Sequence, residues 1–210
     1  MSEQTIEGAA ENHRDRYINR VMKICAILFV ILLVVLHFIN PQINPSKIVI
    51  SYYELGKMGW MMSLAFLSLG IGTFFCFLKV TYLKYDKLIF TRFWLILISI
   101  ALAGASVFYP YPDGKFESVL HNICGVIVIL GFPIVISRMS EKLPKSNKSK
   151  RLMTFSTIVV WTGLVAFMGS TIVLDIISGF KEGVLVGWQN RYMMITYAGW
   201  IFTYSTASMR

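Results

Sequence analysis

Six stretches of this chain, each 16 to 23 residues long, carry at most one Lys, Arg, Asp or Glu. They fall at 21–39, 58–78, 93–108, 119–137, 155–177 and 188–204. A helix that crosses a bilayer needs ~20 mostly apolar residues. Backbone N–H and C=O groups inside lipid must pair internally, so a run of this kind in a non-barrel chain has only the α-helix available. The pattern predicts an all-α, polytopic membrane protein, a bundle of six transmembrane helices. Composition agrees: 56% of residues are hydrophobic, against ~45–50% for soluble domains, and mean hydropathy is +0.63.

The expected organisation is a polar cytoplasmic tail (1–20), a six-helix transmembrane domain (21–205) and a short cytoplasmic C-terminus (206–210). The first apolar run is too long for a signal-peptide core and no small-residue cleavage site follows it, so it reads as an uncleaved anchor. The formal net charge of +9 does not imply nucleic acid, because the cations flank the apolar runs. Fifteen of the twenty basic residues fall on one side: Arg14, Arg16, Arg20, Lys23, Lys79, Lys84, Lys87, Arg92, Arg138, Lys142, Lys145, Lys148, Lys150, Arg151 and Arg210. The other side has Lys47, Lys57, Lys115, Lys181 and Arg191. The positive-inside rule therefore puts both termini in the cytoplasm, in the cell membrane, and an even number of spans gives the same answer.

Cys25, Cys76 and Cys124 all lie in apolar runs without metal-ligand spacing, and read as small buried hydrophobes. The pairs Ser68/Gly72, Ala101/Ala105 and Ala166/Ser170 place small residues four apart on one helix face, where backbones can approach in lipid. Pro133 is the expected kink of the fourth helix.

The outer connections carry more chemistry than linkers need. They gather Ser51, Tyr53, Glu54, Asp113, His121, Asn122, Asp175, Asn190 and Arg191. The segment 109–122 packs two prolines, an Asp113-Gly114 turn, and His121 into fourteen residues. Asp113 reads as a turn or cap residue or as a functional carboxylate; both readings stand. His37 and His121 have no zinc-site spacing between them, so no metal and no cofactor is expected. Arg191 opens the last helix. It calls for a carboxylate partner, Asp175 or Glu54 before Asp113, or for a lipid headgroup. Tyr52, Tyr53, Trp60, Tyr109, Tyr111, Trp188 and Tyr192 read as an outer aromatic belt.

The order of three motifs is familiar: Ser51-Tyr52-Tyr53-Glu54-Leu55-Gly56 leading to Trp60, Phe108-Tyr109-Pro110-Tyr111-Pro112-Asp113 followed by His121, and Gly187-Trp188-Gln189-Asn190-Arg191 at the last helix. It resembles the six-helix membrane family catalogued as domain of unknown function 998, and more distantly the DRAM/Sfk-like membrane proteins. The resemblance covers residues 20–205. It implies the fold and an outer cluster at Ser51, Tyr53, Gly56, Trp60, Pro112, Asp113, His121 and Arg191, without an activity.

Three functions fit. The first is non-catalytic lipid handling or sensing, or support of a membrane complex, with a polar site on the outer face. The second is an intramembrane enzyme on a lipid or lipid-linked substrate, using Glu54 or Asp113 with His121 as acid and base and Arg191 on an anionic headgroup. The third is a small transporter, which the scarcity of mid-bundle charge and of broken helices argues against. The expected partners are membrane lipids, with no nucleic acid.

Overall fold

The computed structural model describes residues 3–82, 88–112, 115–142, 146–178 and 186–207; the side chains of 3–12, 142, 174–175 and 177–178 lie outside that description. Among the described residues the architecture is all-helical. The helices are α1 (Glu3–Ile39), α2 (Trp60–Tyr82), α3 (Ile89–Ala105), α4 (Phe116–Lys142), α5 (Asn147–Ser178) and α6 (Gly187–Thr206). A 3-10 turn, Ile50–Leu55, lies between α1 and α2.

Each helix packs on its neighbours in sequence, and α1 also packs on α6, which closes the ring. Successive helices run antiparallel, so α1 begins and α6 ends at the same end, here called proximal. Asn19, Lys79 and Tyr204 meet there. The opposite, distal end carries the 3-10 turn and the starts of α2, α4 and α6.

Four helices have the length and apolarity to cross a membrane: His13–Ile39 within α1, Trp60–Tyr82, Phe116–Glu141 and Asn147–Val173. Their outward faces are apolar too, as with Ile24, Ile27, Ile31, Val34 and Phe38 on α1 and Phe155, Ile158 and Val165 on α5, all exposed. A chain with apolar side chains on both its inside and its outside is built for lipid, and this one is an integral membrane protein. α3 is apolar but has only 17 residues, about 26 Å of helix. α6 has 20 residues but a more polar sequence. The reason is its position: Asn190, Arg191, Thr196, Tyr197, Trp200 and Tyr204 are all buried against protein, where polar groups find partners.

The structure moves several boundaries. The tail expected over 1–20 is helical from Glu3 and continuous with the first apolar run. α4 and α5 extend at their proximal ends into the basic segments. Lys79, expected in a loop, is inside α2 and buried. Two of the three expected packing pairs find places: Ser68 Oγ reaches the Cys25 carbonyl at 3.5 Å, and Ala101 and Ala105 are buried in the core, whereas Ala166 and Ser170 are half-buried and, among the described residues, Ser170 bonds only carbonyls of its own helix.

Pro133 sits inside α4. Its missing N–H leaves the Ile129 carbonyl, four residues back, without its helical donor. The Tyr197 hydroxyl on α6 donates to that carbonyl at 2.9 Å, and the Tyr197 ring stacks on Phe132 with centroids 4.7 Å apart. A freed backbone group inside lipid has to be satisfied by a neighbouring helix, and α6 does it here.

Candidate functional site

The distal site is assembled around the first turn of α6. Gly187 has no side chain because the backbone of the α1–α2 connection lies against it. A Cβ there would collide with the carbonyls of Pro45 and Ile48, and the Gly187 N–H donates to the Ser46 carbonyl at 2.9 Å. The same close approach carries those two carbonyls to Arg191, one turn further on. Arg191 Nη1 donates to the carbonyls of Pro45 (3.1 Å), Ile48 (2.8 Å) and Gly187 (2.9 Å). Its Nη2 donates to the Tyr53 hydroxyl at 2.9 Å. Arg191 as a whole is 4% exposed. Tyr53 accepts from Arg191, which leaves its own proton for His37 Nδ1 at 3.2 Å. Neighbouring Asn190 accepts from the Ile50 N–H at 3.0 Å through Oδ1.

Among the described residues the acceptors of Arg191 are three carbonyls and a phenol oxygen, so Glu54 is not the carboxylate partner expected for it. A planar fork of N–H groups suits several carbonyls at once, which a loop folded over a glycine can supply. Glu54 faces elsewhere, Asp113 lies outside the described residues, and Asp175 is on α5 with its side chain outside the description. Tyr53 leaves the aromatic belt as well. It is fully buried beneath Arg191 and His37, while Tyr52, Trp60, Trp188 and Tyr192 are exposed.

Glu54 and His121 form the second half of the site. Glu54 sits in the 3-10 turn with its side chain 1% exposed. Oε1 accepts from Ser63 Oγ at 3.2 Å, and Oε2 is 3.7 Å from His121 Nδ1. Gly59 lets the chain turn back over Glu54, since a Cβ there would strike the Glu54 carbonyl. Burial pushes the Glu54 carboxyl up to about 8 from its usual 4.5, partly offset by the Ser63 hydrogen bond. His121 opens α4 and is 6% exposed. Its Nδ1 lies 2.6 Å from the Phe108 carbonyl. A carbonyl only accepts, so Nδ1 carries the proton.

Beside these groups the bundle encloses a cavity of about 300 Å³. Its polar wall is Ser51, His121, Asn122 and Asn190. The rest is apolar, from Phe66, Leu102, Ala105, Val126, Val128, Ile129, Phe167 and Met194, so α2 to α6 and the 3-10 turn all contribute. Gly125 lines it too, and a Cβ at Gly125 would have open space around it. Asn122 and Val126 line the cavity and are exposed as well, so it opens to the outside of the bundle along α4.

Of the residues singled out from the sequence, the structure brings Tyr53 and Arg191 together, pairs Glu54 with His121, and sets Ser51 on the cavity wall. Ser63, which binds Glu54, went unrecognised, as did Asn40. Asn40 is fully buried and clamps Lys57 through its backbone N–H and carbonyl. Asn40-Pro41 reads in the sequence only as a helix stop. Among the described residues no group of three or more His, Cys, Asp or Glu side chains is placed to hold a metal.

The profile of the family described as Protein of unknown function (DUF998) matches residues 23–207. This is most of the chain, and the chain belongs to that family. No curated protein and no solved structure matches it.

Proposed function

We propose that this member of the DUF998 family holds a membrane amphiphile in the distal cavity, as a non-catalytic lipid-handling or lipid-sensing protein. The observation that carries the reading is the cavity itself. It is about 300 Å³, within the range of ~300–1,000 Å³ for small-molecule sites. Its wall is apolar over most of its area and polar at one end, as the two ends of an amphiphile require. The opening along α4 faces the surface where lipid lies.

We further infer that all six helices cross the membrane, with the distal end outside. The charge asymmetry of the sequence supports this. A cysteine placed at Lys115 should then react with an impermeant reagent from outside; reaction from the cytoplasmic side alone would reverse the topology.

Native mass spectrometry of gently extracted protein tests the cavity reading. Wild type should retain a lipid-sized adduct, and Gly125→Leu, which puts a side chain into open cavity space, should lose it while remaining folded. Equal retention by the two proteins would refute the reading.

A second reading, an intramembrane enzyme on a lipid, has one observation in its favour. His121 lines the cavity with its Nδ1 proton committed to Phe108, the tautomer in which Nε2 is a base. It predicts turnover of a bound lipid that Glu54→Gln or His121→Gln abolishes without loss of binding.

A further inference from the structure

We infer that the ligand of the distal cavity is an uncharged lipid whose headgroup carries hydroxyls, such as a diacylglycerol or another long-chain alcohol, and not a phospholipid. This rests on the cavity reading above and adds the chemical class of the ligand.

The polar wall decides it. Ser51 offers a hydroxyl, Asn122 an amide, and His121 a ring whose Nδ1 is already bound to the Phe108 carbonyl. Asn190 is 7% exposed. Its Oδ1 is taken by the Ile50 N–H, and among the described residues its amide NH₂ has no acceptor. A donor of that kind, on a largely buried residue, calls for an acceptor oxygen in the cavity. Hydroxyls, which both donate and accept, match a wall of hydroxyl, imidazole and amide groups.

Among the described residues a phosphate would meet no lysine or arginine there, since none lines the cavity. Arg191 is adjacent in sequence to Asn190 but turns its fork away, onto the three carbonyls and the Tyr53 hydroxyl. Behind His121 stands the carboxyl of Glu54, which repels an anion once it is ionised. A buried ionised group without a partner is strongly disfavoured. The volume limits the rest. At about 300 Å³ the cavity holds a headgroup and the first part of a chain, with the remaining hydrocarbon leaving past Val126 into the bilayer.

The test compares dioleoylglycerol with dioleoylphosphatidate, which share their chains and differ in the phosphate. Each is added to purified, delipidated protein, and occupancy is read by native mass spectrometry for wild type, Gly125→Leu and Asn122→Leu. The expected result is diacylglycerol occupancy that Gly125→Leu abolishes and Asn122→Leu lowers by about tenfold, the worth of one well-placed hydrogen bond. Phosphatidate adducts should be the same in all three proteins, as for lipid on the outer surface. If phosphatidate is the lipid whose binding Gly125→Leu abolishes, the cavity reading survives and the uncharged class is wrong. If Gly125→Leu changes neither lipid, the cavity reading itself fails.

Discussion

Two cations lie buried inside the bundle at opposite ends, and they are built differently. Arg191, distal, donates to carbonyls from two chain segments and to Tyr53. Lys79, proximal, donates to Asn19 Oδ1 at 2.8 Å and to the Tyr204 carbonyl at 3.4 Å, with its Nζ 4.6 Å from the centre of the Tyr204 ring. Among the described residues neither has a carboxylate within ion-pair distance. The arginine is a tie that holds the α1–α2 connection over α6 beside a cavity. The lysine is a long side chain finding acceptors near the end of its helix. Burial of a charge alone does not mark a site; the number of separate segments it joins does.

Replacing Arg191 should give the largest effect. Arg191→Leu leaves the Pro45 and Ile48 carbonyls without this donor and loosens Tyr53, and at ~1–3 kcal/mol for each buried acceptor left unsatisfied it should cost about 2–6 kcal/mol, read as thermal unfolding in detergent. Arg191→Lys should recover only a minor part, because a point charge cannot serve the fork geometry. Adding Glu54→Gln to Arg191→Leu should give no rescue. Rescue by that change would mean the pair is an ion pair after all, and the contrast with Lys79 would be misdrawn.

Next comes the pH response of the distal end. The Glu54 carboxyl keeps its proton to about pH 8 in the folded state and to about 4.5 when exposed. The folded protein therefore binds more protons between these values. The group's contribution is full below about pH 4.5 and is lost as pH rises to about 8. Wild type should lose stability from pH 5 to pH 9, and Glu54→Gln should flatten that slope and be the more stable of the two at pH 9. An unchanged slope in the variant would place the titrating group elsewhere.

How much of this was legible in the sequence follows from what each feature depends on. The apolar runs follow from lipid as solvent, so the helices could be placed from composition and period. α6 was found the same way, although its buried face makes it more polar than lipid would demand. The distal residues were legible as types, since Tyr53, Glu54, His121 and Arg191 stand out beside apolar helices. Their pairing was not. Arg191 binds carbonyls, and every residue has one, so no side-chain pattern encodes the partner. Only Gly187, one turn earlier, leaves a trace of the close approach. Lys79 was misplaced because a cation two or three residues inside a helix end has the same sequence pattern as one in the loop beyond it.

A smaller effect tests where the two halves of the bundle join. Tyr197→Phe removes the donor to the Ile129 carbonyl and should cost about 1–1.5 kcal/mol. Pro133→Ala restores a helical N–H for that carbonyl, so the loss should shrink on the Pro133→Ala background. Equal losses on both backgrounds would mean the freed carbonyl is not what Tyr197 serves.

Smallest of all should be Lys79→Met, which keeps the packed stem and removes the charge. A change within about 1 kcal/mol is expected. A loss as large as that of Arg191→Leu would erase the distinction between the two ends.

The most direct measurement of the distinction is a map of lipid contact. A diacylglycerol with a photoreactive group early in one acyl chain is incorporated with the protein into vesicles, irradiated, and the adducts are located by peptide sequencing. The account predicts adducts concentrated at the cavity wall, on Val126, Ile129 and Phe167, and their loss in Gly125→Leu. Adducts spread evenly over the lipid-facing residues of α1 and α5, and unchanged by Gly125→Leu, would contradict it.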